Sequence, residues 1–468
     1  MHRILLIGEI QVNREHFRRI VIFLLTVLII TAQTVIFFYY WSTYYNPYIQ
    51  RTFVLKGQIV MVLLYDLMLL GFSRVYGGFK VSNLRTTDVI FSQSLSTVFV
   101  NILAYLQICM LSLRLVSVIP MISMTLMDVS AIILWAVFAR YIYTLFYPAR
   151  DILLVYCDRD PDNLVKKMNA RADKYKIEDS IHIDVGFKKL TEVIDKHKAI
   201  LLCDIPGDIR NDLIKYGFSK GIRVYITPKL SDIILMGADN IHLFDTPLLL
   251  AKNEGLSVEK RFTKRFIDLS VSTIMAIITA PFMLVFAILI KAYDRGPVLY
   301  KQERLTQDGR VFKVLKFRSM RVDSEKDGAR LAAKGDDRVT PIGRFLRACH
   351  LDELPQIYNI WMGDMSLVGP RPERPEIAAE YSKHIPEFDF RLKVKAGLTG
   401  YAQIYGKYNT TPYDKLKLDL YYIEHQNFLL DLRLIMMTVK ILFVKENTEG
   451  VETWQKTATI TDGNGKKK

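Results

Sequence analysis

Long apolar runs dominate the first third of this chain, at about 20–41, 54–72, 89–111 and 115–139. Each is close to the ~20 residues that carry a helix across the hydrocarbon core of a bilayer. The third is the least apolar, interrupted by Gln93, Asn101 and Gln107. Arg14, Arg18 and Arg19 precede the first run, Arg74, Lys80 and Arg85 separate the second from the third, and Arg140 and Arg150 follow the fourth. The loops 42–53 and 112–114 hold only Arg51 and Arg114. Basic residues mark the cytoplasmic side, so both ends of a four-helix bundle over 1–148 are expected there. Asp66 and Asp128 lie within the runs; interhelical hydrogen bonding or an interfacial position is the first reading, a function inside the membrane the second.

The pattern changes after 149. Short β-rich runs, Ile152–Tyr156, Ile181–Val185, Ala199–Cys203, Arg223–Ile226 and Ile241–Phe244, alternate with charged stretches of helical texture such as Asn163–Tyr175 and Asp208–Lys220. Such alternation predicts βα units and a parallel, Rossmann-like sheet over 149–258. A dinucleotide site would want glycine in the first strand-to-helix turn, where backbone N–H groups approach phosphate. The chain reads "LLVYCDRDPDN" there, which favours a structural or regulatory role.

A fifth apolar run, Phe266–Ile290, has basic residues at both ends: Lys260, Arg261, Lys264 and Arg265 before it, Lys291, Arg295 and Lys301 after it. A spanning helix would put one cluster on the wrong side. Pro281, near the middle, removes a backbone hydrogen bond and kinks the helix. A re-entrant helix over 264–292 that enters, bends and leaves by the same face satisfies both features; an ordinary fifth span is the alternative. The remainder is polar and basic, ending in an amphipathic stretch, Leu429–Val444, suited to a membrane face.

Composition adds direction to this outline. The 468 residues allow two or three domains, and Lys plus Arg outnumber Asp plus Glu by 63 to 48. An excess of 15 positive charges on a soluble protein would suggest nucleic acid. Here the cations flank apolar runs, which points to anionic lipid and not to nucleic acid. Cys109, Cys157, Cys203 and Cys349 are scattered without metal spacing, so they read as reduced packing residues. No cleavable signal peptide is evident.

Against this basic background, "RACHLDELPQIYNIW" holds an adjacent acid pair, Asp352 and Glu353. The reading places Asp352 at a helix N-cap, with Pro355 in the first turn and Leu354, Ile357, Tyr358 and Trp361 on the apolar face. Arg344 and Arg347 lie upstream, and Arg371 is fixed between prolines in "GPRP". Two acids among stiffly held arginines suit a Mg²⁺ ion and a diphosphate. An aspartate can also attack phosphorus and form an acyl phosphate. An N-cap beside a solvated acid is the plainer alternative for the dipeptide alone.

From about Lys264 to Val444 the chain resembles the bacterial sugar transferases, the monotopic polyprenol-phosphate phosphoglycosyl transferases. The resemblance rests on "KRFIDL", "GPVLYKQERLTQDGRVFKVLKFRSM", "VTPIGRFLRACHLDELPQIYNIWMGDMSLVGPRPE", "KAGLTGYAQIYGK" and "KLDLYYI". The apolar start and α/β middle are similar to the large members of that family. The resemblance implies a membrane protein of four transmembrane helices, an α/β Rossmann-like cytoplasmic domain and a membrane-embedded α/β catalytic domain, 259–468, with a re-entrant helix. It also implies transfer of a sugar 1-phosphate from a UDP-sugar to undecaprenyl phosphate, with release of UMP, at the cytoplasmic face of the inner membrane. This would be the first membrane step of exopolysaccharide, capsule or O-antigen synthesis.

By the same resemblance Asp352 matches the nucleophile, Glu353 the acid that holds Mg²⁺, and Arg347 and Arg371 phosphate-binding arginines. Lys316 and Arg318 in "KFRSM" and Asp419 in "DLYY" are further candidates, with packing roles as the alternative. Lys264, Arg265 and Asp268 match the helix start and would meet lipid head groups or simply snorkel. Three positions depart from the family pattern: Ala280 before Pro281 where serine is common, Leu305 where glycine is common, and Cys349-His350 where Ser or Thr is common. None removes a proposed catalytic group. A glycosyl transferase releasing UDP and a non-catalytic membrane regulator are the competing readings. The sugar and the oligomeric state, homodimer included, are not specified by the sequence.

Overall fold

The computed structural model describes residues 2–157, 161–252, 255–321, 338–406 and 410–442. Packing divides the chain into two units, one taking in residues to Val155 with Pro161–Leu202 and Pro206–Tyr225, the other Cys203–Ile205 and the chain from Ile226.

The first unit opens with four long helices: α1 (His2–Tyr40), α2 (Leu55–Tyr76), α3 (Thr86–Ser112) and α4 (Ile119–Phe146). All four are long and apolar enough to cross a membrane. Pro120 sits in the first turn of α4, where its missing N–H costs nothing, so that helix starts later than its apolar run. The polar residues that weaken the third run face inward. Gln93 and Asn101 of α3 are fully buried. Asn101 accepts from Tyr65 at 2.9 Å and donates to Asp128 at 3.1 Å, while Gln33 donates to Thr97 at 2.8 Å. Asp66 accepts from Thr34 at 2.7 Å. Both intramembrane aspartates thus make interhelical hydrogen bonds, which hold helices together where lipid offers no hydrophobic drive. Arg140, at the end of α4, pairs with Asp173.

The sheet of this unit has the order β2–β1–β3–β4, from β1 (Arg150–Tyr156), β2 (Tyr175–His182), β3 (Ala199–Cys203) and β4 (Arg223–Ile226). Helices α5 (Asp162–Asn169), α6 (Phe187–Ile194) and α7 (Gly207–Lys220) occupy the three connections. Ile152–Val155 and Ala199–Leu202 are buried, as central strands should be. Three expectations need correction here. The strand expected at Ile181–Val185 is instead Tyr175–His182, with 183–185 a 3₁₀ turn, and the helix expected to reach Tyr175 ends at Asn169. β2 is an edge strand with no fully buried residue, so it carries no buried run to reveal it. The run Ile241–Phe244 does not join the sheet. It forms β5 (Asp239–Leu243), which returns at once into antiparallel β6 (Thr246–Leu250). A two-residue connection, Phe244-Asp245, permits only an antiparallel return. The turn read as lacking a phosphate-binding glycine includes residues 158–160, which lie outside the described residues.

The second unit begins with α8 (Leu230–Met236), whose Leu230 and Ile233 pack with Leu416, Leu420 and Phe388. Then α9 (Val258–Asp294) runs without interruption across Pro281. Pro281 cannot donate to the Ile277 carbonyl. The Thr279 hydroxyl is taken by Met275 O at 2.8 Å, so it does not replace that donor. Beyond α9 come an antiparallel pair, β7 (Leu299–Leu305) with β8 (Val311–Phe317), then α10 (Pro341–Ala348) and α11 (Gln356–Met362). A parallel pair follows, β9 (Met365–Val368) with β10 (Ala396–Thr399), with α12 (Pro375–His384) in the connection. The last helices are α13 (Tyr401–Tyr405), α14 (Pro412–Glu424) and α15 (Phe428–Leu442). α15 is the amphipathic stretch expected at Leu429–Val444; residues 443–444 lie outside the described residues. The core joins Val314, Ile360, Leu367, Ala396, Tyr422 and Leu434, with Val271 and Met275 of α9 packed against it.

Candidate active site

Two helices and a sharp reversal deliver the acid pair. Thr340 caps α10 by accepting from Gly343 N–H at 2.9 Å, and Pro341 occupies the first turn. Gly343 is required: a Cβ there would stand 2.0 Å from Ser319 O. α10 carries Arg347 in its last turn. His350 then takes a left-handed conformation, φ 54°, and the chain turns into a 3₁₀ segment, Leu351–Glu353. Asp352 is therefore not an N-cap, as the sequence suggested. It lies inside the 3₁₀ turn, and Pro355 stands immediately before α11. The reversal at His350 starts a separate turn, and the proline occupies a junction where no N–H is needed.

The structure gathers Lys316, Arg347, Asp352, Glu353 and Arg371. Glu353 Oε1 accepts from Lys316 Nζ at 2.6 Å and from Arg371 Nη2 at 2.7 Å, while its Oε2 has a longer contact with Arg371 Nη1 at 3.4 Å. Burial opposes ionisation of Glu353, but Arg371 and Lys316 outweigh it and hold the carboxyl well below the usual range. Asp352 is mostly buried, and its carboxylate has no hydrogen-bond partner among the described residues. Burial pushes its pKa up; Lys316, Arg347 and Arg371 act against that rise, and Glu353 adds to it. Arg347 Nε donates to Ser319 Oγ at 2.8 Å.

The Arg371 loop is pinned by its backbone as well as by its prolines. Arg391 Nη2 donates to Arg371 O at 2.9 Å, and Arg304 Nη1 to Pro372 O at 3.0 Å. Gly369 N–H donates to Thr399 O at 2.9 Å, and a Cβ on Gly369 would lie 2.3 Å from Lys395 O. Asp419 sits behind the loop: Arg391 donates to its Oδ2 at 2.7 Å from Nη2 and 3.1 Å from Nε. Glu373 faces Arg391 at 3.4 Å and pairs with Lys415.

The other sequence candidates lie elsewhere. Arg318 binds Asp294 at the end of α9, so its guanidinium braces that helix. Lys264 Nζ is 2.9 Å from Asp431 Oδ2, 3.4 Å from Asp268 Oδ1 and 3.1 Å from Val368 O. Asp268 also accepts from Ser366 Oγ at 2.8 Å and Leu367 N–H at 3.1 Å. Arg265 donates to Ile360 O and Trp361 O at 2.7 and 2.9 Å. All three side chains make protein contacts at the start of α9. Pro281 lies far along that helix, among exposed Ile277, Ile278, Phe282, Leu284 and Val285. Arg391, Glu373, Arg304 and Ser319 are not singled out by the sequence, although the last three lie within the quoted motifs, because the partners that give them their roles are distant in sequence.

The donor set admits a divalent cation. Among the described residues Asp352 is free of hydrogen bonds, Glu353 Oε2 is weakly engaged, and no cluster of three or more His, Cys, Asp or Glu forms a protein-only cage. Two carboxylates completed by phosphate oxygens and water suit Mg²⁺.

Long apolar helices and an acid pair ringed by cations define a membrane protein with a site suited to phosphate groups. Residues 259–445 match the family model for bacterial sugar transferases. The UDP-glucose:undecaprenyl-phosphate glucose-1-phosphate transferase of Caulobacter vibrioides is 38% identical over 189 residues, 39% of this chain and 71% of the relative. The protein of that name from Klebsiella pneumoniae is 39% identical over 216 residues, 45% of each chain. The UDP-N-acetylgalactosamine-undecaprenyl-phosphate N-acetylgalactosaminephosphotransferase of Aeromonas hydrophila is 38% identical over 184 residues, 39% of this chain and 44% of the relative. The match thus takes in less than half the length of these last two proteins. This chain belongs to the bacterial sugar transferase family.

Proposed function

We propose that this protein transfers a sugar 1-phosphate from a UDP-sugar to undecaprenyl phosphate, releasing UMP, on the cytoplasmic face of the inner membrane. The observation that carries this reading is the Asp352 carboxylate, free of hydrogen bonds among the described residues and surrounded by three cations. A structural aspartate in such company would be paired, as Asp419 and Asp268 are. An Asp352 oxygen attacks the sugar-bearing phosphorus, the phosphoanhydride bond breaks, and UMP leaves with the electron pair. The enzyme then holds an acyl phosphate. A phosphate oxygen of the polyprenol attacks the same phosphorus, the bond to Asp352 breaks, and the carboxylate is regenerated beside a sugar-diphospholipid.

Lys316, Arg347 and Arg371 neutralise charge spreading over the phosphoryl oxygens, the main contribution expected in such transfers. Mg²⁺ held by Glu353, with Asp352 nearby, would supply further charge neutralisation on the diphosphate. The two ends of α9 support a helix that enters and leaves by one face. Its start is bonded to α11 and β9, and its end to Arg318 just beyond β8. The apolar middle, including Ile274, Ile277 and Phe282, is exposed.

Purified protein given UDP-glucose or UDP-N-acetylgalactosamine without lipid tests the chemistry. Expected are release of UMP and a mass increase of one phosphosugar on the peptide containing Asp352. Release of UDP, or no adduct with either donor while turnover proceeds, rejects the mechanism. For topology, cysteines at 262 and 293 should be labelled from the same side of the membrane.

A further inference from the structure

The acid pair lies in the 3₁₀ turn that leads into α11, and α11 is held from two sides. On one side Arg265 of α9 binds its last carbonyls, and Trp361 Nε1 donates to Ser272 Oγ at 3.1 Å. On the other, Asn359 faces the outer edge of β8. Asn359 is fully buried. Its Oδ1 accepts from Leu315 N–H at 2.9 Å, and its Nδ2 donates to Lys313 O at 2.9 Å. One carboxamide thus makes the two bonds that a neighbouring strand would make on an open edge. A reversed amide would set donor against donor and acceptor against acceptor. An apolar residue would leave a buried N–H and a buried C=O unpaired.

The next residue on β8 is Lys316, whose ammonium lies 2.6 Å from Glu353 Oε1. The chain therefore closes a small loop: acid pair, α11, the Asn359 carboxamide, β8, Lys316 and back to the acid pair. We propose that Asn359 is a positioning residue for the transfer reaction, fixing the distance between Lys316 and the two carboxylates through its paired bonds to β8. It touches no substrate and acts only through Lys316. This assignment rests on the reaction proposed above.

The charged groups facing Asp352 are Lys316 from β8, Arg347 from α10, Arg371 from the loop after β9, and Glu353 beside it. If Asn359 acts only through Lys316, its replacement should cost nothing more once Lys316 is gone. A change that merely softens the fold would add its own loss.

The test uses the full chain in nanodiscs, with UMP release from UDP-glucose or UDP-N-acetylgalactosamine followed at neutral pH. Asn359→Asp keeps the acceptor for Leu315 N–H but sets an oxygen against Lys313 O. Asn359→Gln keeps the carboxamide one methylene out of place. Both should lose about 10- to 100-fold in kcat, the scale of a displacement near 1 Å. Lys316→Ala should lose at least as much, and adding Asn359→Gln to Lys316→Ala should cost no further kcat. Losses that multiply in the folded double variant overturn the proposal. In the wild type the Leu315 amide should exchange hydrogen as slowly as the β7–β8 ladder. Exchange at the rate of an open edge also overturns the proposal, even if neither variant folds. Wild-type protein that releases no UMP sinks the transfer reading instead, and is told apart from failure at Asn359 by that control.

Discussion

The second unit holds two clusters of acids and bases, made from the same residue types and joined through one loop. In the first, Glu353 binds Lys316 and Arg371 while Asp352 has no hydrogen bond among the described residues, and the Arg371 side chain is 41% exposed. In the second, Arg391 is 3% exposed and Asp419 1%, with Glu373 and Lys415 completing the set. The first has a carboxylate and a guanidinium face to offer; the second has its charges turned on one another. Charge content therefore does not separate a site from a scaffold. Unspent hydrogen-bonding capacity at an accessible surface does.

The sharpest break between the two clusters comes from one substitution in each. Asp352→Asn should abolish turnover, a loss of at least about 10⁴-fold, with folding and membrane insertion kept. Appreciable residual UMP release would reject Asp352 as the nucleophile. Asp419→Ala should do the reverse: it leaves Arg391 buried without its carboxylate, at about 3–5 kcal/mol, so thermal unfolding in nanodiscs should occur at markedly lower temperature. An unshifted transition would mean that the closed cluster is not structural. Glu353→Gln keeps the shape but drops the charge facing Lys316 and Arg371. About 100-fold slower turnover is expected, with a higher Mg²⁺ requirement.

The smallest effect concerns acid. Burial opposes ionisation of Glu373, yet Lys415 and Arg391 bring its pKa from 4.5 down to about 2. A depressed carboxylate stabilises the fold above its unfolded value, and that contribution fades as pH falls through the folded one. Stability should thus decline between about pH 4.5 and 2, and Glu373→Gln should flatten that decline. Asp352 behaves oppositely, since burial raises it, so the activity limb should lie above the ordinary aspartate value of 3.8.

Much of the architecture could be read from the chain because long apolar periods leave little choice. The four N-terminal helices, the apolar middle of α9 and the grouping of Asp352, Glu353 and Arg371 all followed from local pattern or motif; α9 itself starts six residues before the expected helix, at Val258. What failed was set by neighbours distant in sequence. β2 is polar because it is an edge, and β5 folds back because two residues close its turn. The N-cap expected at Asp352 gave way to the left-handed His350, which no residue preference announced. Arg391 meets Asp419 across 28 residues and Asn359 meets Lys313 across 46, separations that no periodicity encodes.

The exposed apolar middle of α9, tied at both ends to one unit, also has a kinetic meaning. Under the proposed reaction the enzyme never leaves the leaflet in which its acceptor diffuses. Encounter is then a lateral search, governed by the mole fraction of polyprenol phosphate among the lipids. Diluting the acceptor with inert phospholipid should slow the second half-reaction, whereas adding buffer at fixed bilayer composition should leave it unchanged.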